Sequence, residues 1–182
     1  TNTLRRAHNS GEFLAEAREA LGQPIEIIAG REEARLIYQG VAHNITDVTE
    51  QRLVMDIGGG STEFIIGRRY TPLQMESLYM GCVAMSRECF DDGEITLERM
   101  ERAELLASQE LEAIQTPYLR IGWGHSIGAS GTILAVRDVV RGRGWSDDGI
   151  TAESLERLRA TLIEAGHVDR LDLPELPKRR AS

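Results

Sequence analysis

Apolar side chains recur along this chain with two different periods, and the alternation between them outlines the fold. Phe13, Leu14, Ala17 and Leu21 share one face of a helix predicted over Asn9–Leu21. Asn9 or Ser10 can cap its start and Gly22 can close it. Pro24 opens a short β-branched run, Ile25–Ile28, that reads as a buried strand. Helical spacing returns over Arg31–Gln39 through Ala34, Leu36 and Ile37. Asn44–Gln51 is polar and thin in large apolar residues, so it reads as a connection. Strands follow at Arg52–Ile57 and Thr62–Gly67, joined by the glycine turn Gly58–Gly60, with a third at Leu73–Met80.

Beyond them, Met100, Leu105, Leu111 and Ile114 mark a long amphipathic helix over Leu97–Ile114. A strand is predicted over Leu119–Ile127, a helix over Ser130–Val140 and a last helix over Thr151–Ala165, with Thr151 as its cap. Gly142–Gly149 reads as a loop, and the tail from Leu171 is rich in proline and charge. The order is helix, strand, helix, three antiparallel strands, helix, strand, helix, helix. That mixture predicts an α/β protein with flanking helices and a mixed sheet containing antiparallel hairpin strands.

Composition narrows the chemistry. The 182 residues carry a net charge of −8, which argues against a non-specific nucleic-acid or membrane surface. A polyanionic ligand would therefore need local positive charge: a few arginines, backbone N–H groups and a divalent cation. Lys178 is the only lysine, and arginine suits bidentate contact with phosphate. No apolar run is long enough to cross a bilayer, and the polar, basic start Thr1–Arg6 does not resemble a signal peptide, so the cytoplasm is the expected location. Cys82 and Cys89 have no metal-type spacing and read as reduced thiols. His8, His43, His125 and His167 show no ligand spacing either.

The strongest chemical signal is Asp56-Ile57-Gly58-Gly59-Gly60-Ser61-Thr62-Glu63. A strand ends in a carboxylate, and three glycines then let backbone N–H groups approach an anion closely. Gly58, Gly59, Gly60 and Ser61 thus form a candidate phosphate loop, and Asp56 is placed to hold Mg²⁺ directly or through water. Glu63 either faces the same cleft or lies on a solvent-facing strand. A second cluster, Gly128-Ala129-Ser130-Gly131-Thr132, follows a strand and opens a helix, so Gly128, Ser130 and Gly131 can form a further anion site. By spacing alone, Glu32 and Glu33 merely complement a helix dipole, and Arg5 is a solvated terminal arginine.

Taken together, these motifs resemble the exopolyphosphatase and guanosine pentaphosphate phosphohydrolase family. The resemblance runs through Thr3–Asn9, Ile25–Ile37, Asp56–Glu63, Met80–Val83 and Gly128–Thr132 in order, and covers essentially the whole chain. It implies an actin-like, ribonuclease H-like pair of lobes. Residues 1–44 would end the first lobe, and residues 45–182 would form most of the second. It also implies that Glu33 activates the attacking water, that Asp56 and Glu63 serve a divalent metal such as Mg²⁺, and that Arg5 contacts phosphate. The expected activity is removal of the terminal phosphate of inorganic polyphosphate, with guanosine pentaphosphate as the alternative substrate. Other readings are an ATP-using phosphotransferase of the same broad fold and a non-catalytic phosphate-binding module. A homodimer is compatible with the family. The D-x-G-S-N-S-type loop that opens the family pattern has no counterpart here, so the chain is expected to be a fragment lacking most of the first lobe.

Overall fold

The computed structural model describes residues 4–5, 7–45 and 50–176. It contains α1 (Ser10–Leu21), α2 (Gly30–Ala42), β1 (Gln51–Ile57), β2 (Thr62–Arg68), β3 (Thr71–Leu78) and α3 (Cys82–Cys89). These are followed by α4 (Leu97–Ile121), β4 (His125–Ala129), α5 (Ser130–Gly142), α6 (Ala152–Ala165) and a short 3₁₀ turn at Val168–Arg170. The four strands form one mixed sheet in the order β3-β2-β1-β4. β1, β2 and β3 are antiparallel neighbours, and β4 lies parallel to β1. The α/β architecture with a mixed sheet matches the expectation.

Strand alternation sends successive side chains of the sheet into two different cores. Val54 and Ile65 join Ala34, Tyr38 and Ala42 of α2 on one face. Leu53, Phe64, Ile66 and Leu78 join Ile114 and Tyr118 of α4 on the other. Tyr38 lies flat against Gly67, where any Cβ would come within 2.2 Å of its ring. Its hydroxyl donates to the Arg69 carbonyl at 3.0 Å. On the opposite face the buried Tyr118 hydroxyl donates to the Phe64 carbonyl at 2.7 Å. Two tyrosines thus pin β2 between its flanking helices.

Several sequence-based boundaries are corrected. Ile25–Ile28 is not a strand, because no described strand lies beside it. Its carbonyls are instead taken by arginines: Arg18 donates to Ile25 and Arg5 to Ile28. The helix predicted to end at Ile114 continues through Pro117 to Ile121. Ile114, Tyr118 and Ile121 keep a helical spacing toward the core, and that burial outweighs the local cost of proline. The strand predicted from Leu119 therefore begins only at His125, after Gly122 turns the chain at φ 69°. β3 starts two residues earlier than expected, and α3 was not foreseen. The last helix begins as read: Thr151 and Ser154 form a reciprocal cap. Part of the predicted 44–51 connection lies outside the described residues.

Candidate active site

The site is built where β1 turns into β2. Asp56 pairs directly with Glu63 across the two strands, so both carboxylates project from the same face of the sheet. That face is the one covered by α2. Gly30, the first residue of α2, lies against Ser77 of β3, where an added Cβ would be 2.7 Å from the Ser77 Cβ and Oγ. A side chain at position 30 would lift α2 off the sheet. Without one, the first turn of α2, with Glu33, descends beside the Asp56–Glu63 pair.

Glu63 is only 2% exposed. Its Oε1 accepts hydrogen bonds from Ser77 at 2.7 Å and Ser61 at 2.8 Å. Burial pushes its carboxyl above the usual carboxylate range, the two serine hydroxyls oppose that shift, and the nearby Glu33 and Asp56 charges add to it. Glu33, Asp56 and Glu63 therefore share one electrostatic neighbourhood although 30 residues of sequence separate the first from the last. Arg5 reaches the same place. One terminal nitrogen bonds Glu33 Oε2 at 2.8 Å and the Ile28 carbonyl at 3.1 Å, while its other two nitrogens have no hydrogen-bond partner among the described residues.

The glycine turn is held from beneath by α3. Gly58 N–H donates to the Ser61 carbonyl at 2.9 Å, closing the turn. Cys82 N–H donates to the Gly58 carbonyl, and Val83 and Ala84 N–H groups donate to the Gly59 carbonyl, at 2.9–3.0 Å. The free donors at the start of α3 are thus consumed in fixing the turn, not in binding an anion. Once the carbonyls are bound on that side, the N–H groups of Gly59 and Gly60 have no acceptor among the described residues. They are the groups available to a phosphate oxygen. Gly81 makes the junction possible, because a Cβ there would lie 2.4 Å from the Gly59 and Gly60 backbone.

The second glycine cluster meets the first. Asp56 pairs with Ala129 in the parallel register, and Ser130 Oγ donates to the Ile57 carbonyl at 3.2 Å. Ser130 adopts φ 66°, a left-handed conformation uncommon outside glycine. Its side chain therefore ties the loops together instead of capping α5. A cavity of about 710 Å³ opens between the loops, with Gly58, Gly59, Ser130 and Gly131 in its wall. Of the site residues read from the sequence, Arg5, Glu33, Asp56 and Glu63 lie on the α2 side of the sheet, Gly58, Gly59, Ser130 and Gly131 line the loop cavity, and Gly128 instead faces Ile133 in a separate cavity. Sequence reading missed Ser77, which no local motif marks, because its place depends on the β2–β3 register. It also missed α3, whose hint was the small-residue step at Gly81-Cys82.

A divalent cation fits part of this arrangement. Asp56 and the remaining Glu63 oxygen are hard oxygen donors side by side. Among the described residues no cluster of three or more His, Cys, Asp or Glu side chains could hold a metal unaided. Two carboxylates are compatible with Mg²⁺, which keeps water and takes substrate phosphates beside one or two carboxylates. Cys82 and Cys89 are both free thiols. No described helix is long and apolar enough to cross a membrane.

Comparison with known proteins gives the family and the fold. The description of the Ppx/GppA phosphatase family matches residues 1–182. Proteins named guanosine-5'-triphosphate,3'-diphosphate pyrophosphatase from two strains of Vibrio cholerae serotype O1 are 43% identical over 181 residues. The match covers 100% of this chain and 36% of theirs, so the chain spans about a third of the length of these curated relatives. Among solved structures, an exopolyphosphatase from Cytophaga hutchinsonii superposes with a TM-score of 0.80 at 23% identity, over 98% of this chain and 60% of that one. The Aquifex aeolicus PPX-GPPA enzyme superposes with a TM-score of 0.73 at 24% identity, over the same shares. At such identities the likeness establishes the actin-like fold.

Proposed function

The chain belongs to the Ppx/GppA phosphatase family, and from that premise we propose that it forms part of a hydrolase that removes the terminal 5'-phosphate of guanosine pentaphosphate. The observation that carries this reading is the convergence of Glu33, Asp56 and Glu63 beside a glycine turn with unclaimed N–H groups. Inorganic polyphosphate, placed first from the sequence, becomes the second candidate, because the 43% identical relatives are named for the guanosine nucleotide. An ATP-using transferase is disfavoured on the reading that Glu33, a carboxylate near Glu63, activates water.

In this mechanism the terminal phosphoryl group rests on the N–H groups of Gly59 and Gly60. Asp56 and Glu63 would hold a divalent cation, which when bound would supply charge neutralisation. Glu33 accepts the proton of a water attacking in line, and Arg5 keeps the Glu33 carboxylate aimed through the 2.8 Å ion pair. Arg5 also offers its two remaining nitrogens to the phosphate. Positioning and charge neutralisation carry most of the rate. The first lobe, with its own phosphate loop, would close the cleft from the other side, with residues 1–44 as its last segment. We place the enzyme in the cytoplasm as a homodimer.

The test is divalent-cation-dependent phosphate release by the full-length protein, with guanosine pentaphosphate and long-chain polyphosphate compared side by side. Glu33→Gln should bind substrate normally and lose about two to four powers of ten in rate. A fully active Glu33→Gln protein would remove Glu33 from the mechanism. Exclusive hydrolysis of polyphosphate would restore the original order of substrates.

A further inference from the structure

The 710 Å³ cavity extends well past the groups that the hydrolysis needs. Its inner end is the two glycine loops. Its outer end lies one helical turn further along α3 and α5, at Ser86, Arg87 and Ala135. The reacting carboxylates Asp56 and Glu63 do not line it. The glycine turn separates them from it, so a substrate whose terminal phosphate sits at the turn leaves its remainder in the cavity.

The lining there has a definite chemistry. Ser86 and Thr132 bring hydroxyls, Ile57, Val83 and Ala135 bring apolar surface, and Arg87 brings the only charged side chain among the described residues of the lining. Among the described residues no carboxylate lines the cavity, in a chain whose net charge is −8. The Arg87 guanidinium has no hydrogen-bond or ion-pair partner among the described residues. What distinguishes it from other surface arginines is its place in the cavity wall, one helical turn from the glycine turn that α3 holds. An unclaimed guanidinium beside low-polarity walls is a strong site for a second anionic group.

Building on the hydrolase reading above, we infer that Arg87 binds substrate phosphates remote from the one that is cleaved and so sets selectivity for polyphosphorylated substrates over simple nucleoside triphosphates. In guanosine pentaphosphate that group is the 3'-diphosphate, and in polyphosphate it is a later phosphate of the chain. The chemistry is shared by both sources, and the substrates used in the test separate them. Arg87 acts as a specificity residue, since it touches the part of the substrate that does not react.

The experiment measures kcat and KM of the full-length wild type, Arg87→Ala and Arg87→Lys with guanosine pentaphosphate, long-chain polyphosphate and GTP. Equilibrium binding of guanosine pentaphosphate to Glu33→Gln, with and without Arg87→Ala, gives a reading independent of turnover. Arg87→Ala should raise KM and Kd for guanosine pentaphosphate by about tenfold to a hundredfold, the worth of one charged hydrogen-bonding group. The loss should fall on KM rather than kcat, GTP should be unaffected, and Arg87→Lys should recover part of the affinity. A KM rise confined to polyphosphate assigns the site to the longer chain and also supports the inference. Unchanged KM and Kd in Arg87→Ala, or an equal loss for GTP, overturns it while leaving the hydrolase reading intact. Failure of that reading would show separately, as full activity in Glu33→Gln. Arg87 is exposed, so its replacement leaves the fold in place.

Discussion

Replacing Gly81 by alanine tests whether α3 holds the glycine turn in its working shape. The backbone at position 81 has φ −85° and ψ 159°, which alanine adopts freely, so any effect is steric. The new Cβ would lie 2.4 Å from Gly59 C and Gly60 N, against 3.4 Å for ordinary contact. Backbone faces backbone there, and no flexible side chain can yield. The helix and the turn must separate by about 1 Å. The three hydrogen bonds from Cys82, Val83 and Ala84 to the turn, now 2.9–3.0 Å, would then pass out of bonding range. At a net worth of about 1 kcal/mol each, the variant should lose about 2–3 kcal/mol. In the full-length protein that lowers Tm by a few degrees. A displacement of that size beside the reacting phosphate should also cost about a hundredfold in rate. The assay pairs a thermal melt of the full-length protein with its phosphate-release rate. Gly40→Ala is the control, because that glycine is in an exposed stretch of α2 with nothing within 4 Å of an added Cβ. It should be neutral or gain about 0.5–1 kcal/mol. A Gly81→Ala protein that melts and turns over like wild type would refute the claim that this close approach shapes the site.

Glu63→Gln should stabilise the protein at neutral pH while abolishing activity. The folded protein holds the Glu63 proton more tightly than the unfolded chain, because burial raises its pKa. Stability is therefore lost as pH rises from the unfolded value, 4.5, through the folded one. Neutral glutamine escapes that loss, so its melting point should exceed that of wild type at pH 7 and converge with it below pH 4.5. A lower melting point at pH 7 would count against it. Tyr118→Phe removes the buried hydrogen bond to Phe64 and should cost about 1–2 kcal/mol in chemical denaturation, with little effect on KM. Asp56→Asn should shift the Mg²⁺ titration of activity to about tenfold or higher concentration; an unchanged titration would remove Asp56 from the metal site.

Much of this arrangement is written in short stretches of sequence. The β1–β2 hairpin announces itself because two apolar, strand-forming runs flank the tight glycine turn Gly58–Gly60. Likewise the start of α6 is legible because Thr151 and Ser154 cap each other within four residues. The same stretch marks Asp56, but it left Glu63 open between the cleft and a solvent-facing position until the β1–β2 register paired the two. The family pattern then raised Glu33 and Arg5 above their bland local readings.

Tertiary structure decided the rest. Ile25–Ile28 has the composition of a strand, but a strand exists only beside a partner, and here arginines take its carbonyls. The continuation of α4 past Pro117 depends on the depth at which Tyr118 is buried, which no local propensity encodes. The arrival of Glu33 beside Glu63 depends on Gly30 resting on Ser77, a contact between segments 47 residues apart. Local patterns specify elements because neighbouring residues share one backbone path. Convergence of charges in a site comes from long-range packing, and only the folded chain brings those surfaces together.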